Sequence, residues 1–180
     1  MSNPPLTKTL ILVGMMGAGK SAIGRSLAEL TGREYQDTDS LVQSRLGRSI
    51  TQIFRIYGED AFREHEAAVL RSLEPEPIVL ATGGGIVLRE DNWQEMRRLG
   101  PILYLRAPLP VLLERLENSR KKRPLLSSES WQETVSELLN HREPLYLKAD
   151  AVLEVGNEGV DAIAKAAYEI FLRLENQRDN

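Results

Sequence analysis

The stretch "LVGMMGAGKSA", residues 12–22, decides the fold. An apolar run ending at Val13 passes into a glycine-rich turn, and a helical pattern over Ser21–Leu30 follows. Gly14, Gly19, Lys20 and Ser21 satisfy G-x-x-x-x-G-K-[ST], with Gly17 as an additional glycine. Strand before and helix after are the context in which this pattern forms a phosphate cradle. Glycines let backbone N–H groups close around phosphate oxygens, and the helix N-terminus adds a favourable field. The candidate nucleotide site is thus Gly14, Gly17, Ala18, Gly19, Lys20, Ser21 and Ala22. Lys20 is expected to reach the β- and γ-phosphates, and Ser21 to place its hydroxyl on Mg²⁺. A glycine turn that matches by accident is the competing explanation.

Outward from this loop, short apolar runs alternate with longer amphipathic ones. Strands are expected at Thr9–Val13, Glu34–Gln36, Ile78–Ala81, Ile102–Leu105 and Ala151–Val155, apolar enough to be buried on both faces of a parallel sheet. Helical patterns cover Ser21–Leu30, Asp39–Leu46, Glu59–Leu73, Asn92–Leu99 and Val160–Leu174. "SITQ", Ser49 to Gln52, reads as a capping box opening a short helix that ends before Gly58. Such alternation implies a three-layer α/β/α sandwich in a single domain, residues 1–180. The segment "ENSRKKRPLLSSES", residues 117–130, breaks the rhythm. It is polar and basic, and reads as a long mobile loop.

Composition narrows the chemistry. The 180 residues contain no cysteine, which excludes thiolate catalysis, disulfides and cysteine-ligated metal, and their two histidines argue against a histidine-rich metal site. A net charge of -3 argues against nucleic acid, since the basic run Arg120–Arg123 has no aromatic platform nearby. No apolar stretch approaches a membrane span and no signal peptide is visible, so a cytoplasmic protein is expected, and a monomer because no long exposed apolar stripe is left over.

The remaining question is what accepts the phosphate. "DTD", Asp37 to Asp39, follows the second strand, at the end where open α/β sheets bind ligands. One acid could hold Mg²⁺ through water while the other orients a hydroxyl, or Asp39 could simply cap its helix. Arg63 follows Phe62 on the Glu59–Leu73 pattern, where a solvated or ion-paired arginine is the ordinary alternative. "TGGG", Thr82 to Gly85, suits close approach of backbone N–H groups to a ligand, although a tight turn would also use it. "KKRPLL" offers Arg123, and "HREPLY" offers Arg142 just before Pro144.

Taken in order, G-x-x-G-x-G-K-S, D-T-D, F-R, G-G-G, R-P-L and R-x-P-L-Y resemble shikimate kinases, from about Thr9 to Val155. The resemblance implies strand order 2-3-1-4-5, ATP as donor with Mg²⁺, and conversion of shikimate to shikimate 3-phosphate in chorismate and aromatic amino-acid synthesis. It also implies that Asp39 grips the accepting hydroxyl and that Arg63 and Arg142 hold the substrate carboxylate. Gly83, Gly84 and Gly85 would supply backbone contacts, and Phe54 and Phe62 the apolar wall. Asp37 would reach Mg²⁺, Arg115 would stack on adenine, and the turn around Asn157 would border it. Arg123 would swing over the phosphates on a lid at about 117–130. Lys20, Asp39 and Arg123 are then the catalytic group, and the substrates are two small molecules. The alternatives are a gluconate-type kinase of the same fold and a catalytically silent nucleotide binder.

Overall fold

The computed structural model describes residues 8–117, 126 and 129–178. Five strands form one parallel sheet in the order β2-β3-β1-β4-β5. They are β1 (Leu10–Val13), β2 (Glu34–Asp37), β3 (Ile78–Ala81), β4 (Ile102–Arg106) and β5 (Ala151–Glu154). The helices around the sheet are α1 (Lys20–Thr31), α2 (Thr38–Leu46), α3 (Ile50–Ser72), α4 (Glu90–Leu99), α5 (Leu109–Glu117), α6 (Trp131–Tyr146) and α7 (Val160–Arg178).

Each expected strand is present within a residue or so of its predicted ends. The expectation of two buried faces holds for β1 and β3 throughout and for β4 up to its last residue. It fails at the edges: β2 has no buried residue, and β5 alternates half-buried with exposed positions. An edge strand lacks a neighbour on one side, so its faces are only partly covered.

Register explains where the site forms. Leu12 sits opposite Ala81 of β3 and Leu103 of β4, so β1 is the central strand. Successive connections run from β1 out to β2 and back to β3, and then across to β4. The carboxyl ends of β1, β2 and β3 therefore open onto one crevice beside the point where strand order reverses, which is where open α/β sheets bind ligands.

The start and the middle of α3 shape the approach to this crevice. Ser49 and Gln52 form a complete capping box at its first turn. Gly58, with φ 81° and ψ 174°, breaks α3 into two rods, in keeping with the glycine in the sequence. The first rod helps build a small second core in which Ile53 and Phe62 pack with Val42 and Val69. The second rod carries Arg63 back toward the sheet. Helices α5 and α6 are not among the expected patterns. Pro110 is tolerated in the first turn of α5, and Pro144 lies in the last turn of α6, so both helices carry residues that ordinarily mark their absence. Among the described residues no helix is long and apolar enough to cross a membrane.

Candidate active site

The loop after β1 is organised by its own backbone. Gly19, the N-cap of α1, is left-handed at φ 96° and ψ 12°, and no side chain caps the helix. Its first-turn N–H groups are therefore offered to a ligand rather than to a side chain. The Lys20 ammonium folds across the loop, donating to the carbonyls of Gly14 at 2.7 Å and Met15 at 3.0 Å. A cleft of 340 Å³ opens in front, lined by Gly17, Gly19, Lys20, Ser21 and Ala22 from the loop. Asp37, Asp39, Thr82, Gly83, Gly84 and Arg115 close its other sides.

The acid pair differs from one expectation. Asp37, not Asp39, caps α2, because the helix starts at Thr38, one residue earlier than the pattern suggested. Asp37 Oδ1 accepts from the Asp39 N–H at 2.9 Å, while its Oδ2 accepts from the Ser21 hydroxyl at 3.3 Å and the Tyr35 phenol at 3.1 Å. Asp39, in the first helical turn, lines the cleft. A Cβ placed on Gly83 would lie 2.6 Å from both Asp39 Oδ1 and Glu66 Oε1. A side chain there would push both carboxylates aside, and the Gly83 N–H donates to Thr38 Oγ1 at 2.9 Å.

Behind the glycines lies a buried cluster of charge. Arg63 is 9% exposed and donates to Glu66 at 2.9 Å and to Glu59 at 3.0 Å. Its guanidinium lies against Gly85, where a Cβ would overlap it. Arg142 is 2% exposed on α6. One turn later Tyr146 stacks on Tyr104, with ring centroids 5.0 Å apart, and donates to the Gly84 carbonyl at 2.5 Å. Tyr146 therefore ties the end of α6 to the T-G-G-G turn and brings Arg142 to it. Arg63 Nε, Arg142 Nε and Glu66 Oε1 are all buried without a hydrogen-bond partner. Orphans of this kind are rare in native interiors, and a cluster of them is accounted for by a polar partner, a water or a ligand.

Glu66 is a site residue that the sequence patterns do not single out. Its signal is a carboxylate on the otherwise apolar stripe of the Glu59–Leu73 pattern, three residues after an arginine. Burial pushes its carboxyl up to about 7, and the nearby Asp39 adds to this, while Arg63 and Arg142 pull it down. The sign for stability follows from linkage. The folded protein keeps this proton where the unfolded chain, with an ordinary value of 4.5, has released it. The resulting stabilisation is complete below the unfolded value and is lost as pH rises to the folded one. Glu66→Gln is therefore expected to flatten the fall in stability between about pH 4.5 and 7, read from urea midpoints across that range. An unchanged slope would mean that Glu66 titrates as an ordinary acid.

Phe54 and Phe62 touch, with ring centroids 4.9 Å apart. Phe62 is almost fully buried in the second core, whereas Phe54 is half-buried. Arg115 donates to the Ala18 carbonyl at 3.2 Å and to the Gly156 carbonyl, bridging the loop to the turn after β5. That turn contains Asn157, which is exposed. Arg123 and most of the 117–130 segment lie outside the described residues.

A glycine-rich loop, an acid pair and a buried arginine pair at one end of a parallel sheet define a P-loop kinase acting on a small hydroxylated acceptor. A sequence model of the family described as shikimate kinase matches residues 16–173. A shikimate kinase of Chromohalobacter salexigens is 40% identical, the alignment covering 95% of this chain and 96% of the relative. A solved shikimate kinase from Acinetobacter baumannii, in complex with shikimate, superposes with a TM-score of 0.89 at 36% identity, covering 94% and 95% of the two chains. The chain belongs to the shikimate kinase family. A solved gluconokinase from Sinorhizobium meliloti, at 20% identity and TM-score 0.56, covers 97% and 98% of the two chains and shares the fold.

Proposed function

We propose that this protein transfers the γ-phosphoryl group of ATP to the 3-hydroxyl of shikimate, giving ADP and shikimate 3-phosphate, a step toward chorismate and the aromatic amino acids. The observation that carries this reading is the pair of buried arginines, each with an unpartnered Nε, set behind the T-G-G-G turn. Shikimate is a small ring with several hydroxyls and one carboxylate. It needs cations at one end and a hydroxyl acceptor at the other. Arg63 and Arg142 supply directed, charge-assisted hydrogen bonds to the carboxylate. Asp39 accepts from the reacting hydroxyl, and the backbone of Gly83–Gly85 lies alongside the ring, with Phe54 and Phe62 as its apolar wall.

At the donor end the loop N–H groups and Lys20 hold the phosphates, and Arg115 borders the adenine with the Gly156–Asn157 turn. The residues also fit Mg²⁺. Among the described residues no three acids or histidines cluster, but this ion keeps several waters and needs only one or two protein groups beside phosphate oxygens. Ser21 would hold it directly and Asp37 through water, while the bound ion would neutralise charge on the β- and γ-phosphates. Phosphoryl transfer through a loose transition state asks little proton abstraction of Asp39, so its main contribution is to aim the hydroxyl. The family resemblance gives Arg123 the part of a cation brought over the phosphates, on a loop that excludes water. The same reading has a cytoplasmic monomer acting on two small molecules, without nucleic acid.

The test is ADP release with Mg-ATP and shikimate, gluconate, a nucleoside monophosphate or no acceptor. Release with shikimate alone is expected. Release with gluconate instead would mean that the arginine pair serves an open-chain acid. No release from folded, nucleotide-binding protein would make it a silent binder.

A further inference from the structure

Tyr35, in "EYQDTD", precedes the acid motif by two residues and is not among the residues that line the cleft. Residues two apart on a strand share a face, so Tyr35 and Asp37 of β2 lie on one side of the sheet edge. The Tyr35 ring is fixed from two directions. A Cβ on Gly24 of α1 would come within 2.8 Å of ring atom Cε2, so the helix gives up a side chain to admit the ring. The Arg25 guanidinium lies 4.7 Å from the ring centroid. The clamped ring places its hydroxyl 3.1 Å from Asp37 Oδ2, the oxygen that also accepts from Ser21 at 3.3 Å.

An ionised carboxylate has about four lone-pair directions. Three of those on Asp37 are taken, by Ser21 and Tyr35 on Oδ2 and by the Asp39 N–H on Oδ1. The carboxylate plane is therefore fixed, and one direction on Oδ1 remains for a water of the metal shell. Without the phenol, Oδ2 would keep only the Ser21 donor, a hydroxyl that must also serve the ion. The carboxylate would then be held only by the Asp39 N–H on Oδ1 and this shared hydroxyl on Oδ2, and its plane would be less tightly fixed. We infer that Tyr35 is a positioning residue: its hydroxyl, seated by Gly24 and Arg25, aims Asp37 at the metal-bound water of the nucleotide site. Packing alone would be served equally by phenylalanine, and only the hydroxyl is spent on Asp37.

This inference rests on the reading of Ser21 and Asp37 as the metal side of the ATP site. Outer-shell partners of metal ligands typically change metal affinity by about 10- to 100-fold, and Tyr35, acting through a carboxylate that itself reaches the ion by way of water, belongs at the low end. The experiment is calorimetric titration of ADP into the full chain, native and Tyr35→Phe, once with excess Mg²⁺ and once with EDTA. Its readout is the gain in ADP affinity that Mg²⁺ confers. Tyr35→Phe is expected to lose about 10-fold of that gain while its affinity in EDTA stays within about twofold of native. Shikimate binding without nucleotide, measured in parallel, reports that the variant is folded. An unchanged gain overturns the inference, and if affinity has then fallen equally with and without Mg²⁺, Tyr35 is a support of the loop only. No gain in the native protein would overturn the metal reading and this inference together. Shikimate-dependent ADP release by the native protein beside an unchanged Tyr35→Phe gain would overturn the inference alone.

Discussion

Lys20→Met is expected to lower kcat by about 10²–10³ at saturating ATP and shikimate, as losing a preorganised donor to developing charge does. Lys20 is 9% exposed and its ammonium is held over the loop by two carbonyls, so the charge already waits inside the cleft and not in solvent. Methionine keeps the length of the stem and removes the charge. The carbonyls of Gly14 and Met15 can find water at the open cleft, so folding should be little affected. The loss should therefore appear mainly in kcat, with ADP affinity falling by a much smaller factor because the loop N–H groups remain. Steady-state rates and ADP titration on one preparation separate the two. A kcat within about fivefold of native would remove Lys20 from the transition state.

The donor half of the site is legible in the sequence because it is local. Gly14 to Ser21 follow one strand and open one helix, so spacing in the chain is spacing in space. The same holds for Asp37 and Asp39, except for which of them caps α2. That choice turns on whether the strand or the helix claims Thr38, a difference of one residue that sequence patterns resolve poorly. The acceptor half is legible only through resemblance. Arg63, Gly85 and Arg142 come from three different elements, and no local rule predicts that a guanidinium will lie flat on a glycine twenty-two positions away. Helix α6 is hidden for a related reason. Pro144 reads as a breaker, yet it sits in the last turn, and the Tyr146 hydroxyl on Gly84 holds that end in place. Glu66 is hidden by its setting: a carboxylate on an apolar stripe looks like a flaw in the pattern until its two arginine neighbours are seen.

The carboxylate clamp makes the second strong prediction. Arg142→Met is expected to weaken shikimate binding by roughly 10- to 150-fold, corresponding to the loss of a charge-assisted hydrogen bond of about 1.5–3 kcal/mol. Arg142 is 2% exposed and Tyr146 pins its helix to the Gly84 carbonyl, so the remaining chain should hold its shape around the shorter, neutral side chain. The effect should fall on KM for shikimate and on shikimate affinity measured directly. ATP affinity should be unchanged, because that site is built from the loop after β1 and not from α6. Arg142→Lys distinguishes charge from geometry. An ammonium restores the charge but lacks the planar fork that meets both carboxylate oxygens, so it should recover only part of the loss. Full recovery by lysine would mean that the field alone holds the substrate. A matching loss of ATP affinity in Arg142→Met would mean that α6 supports the whole cleft, and the assignment of Arg142 to the carboxylate would fall.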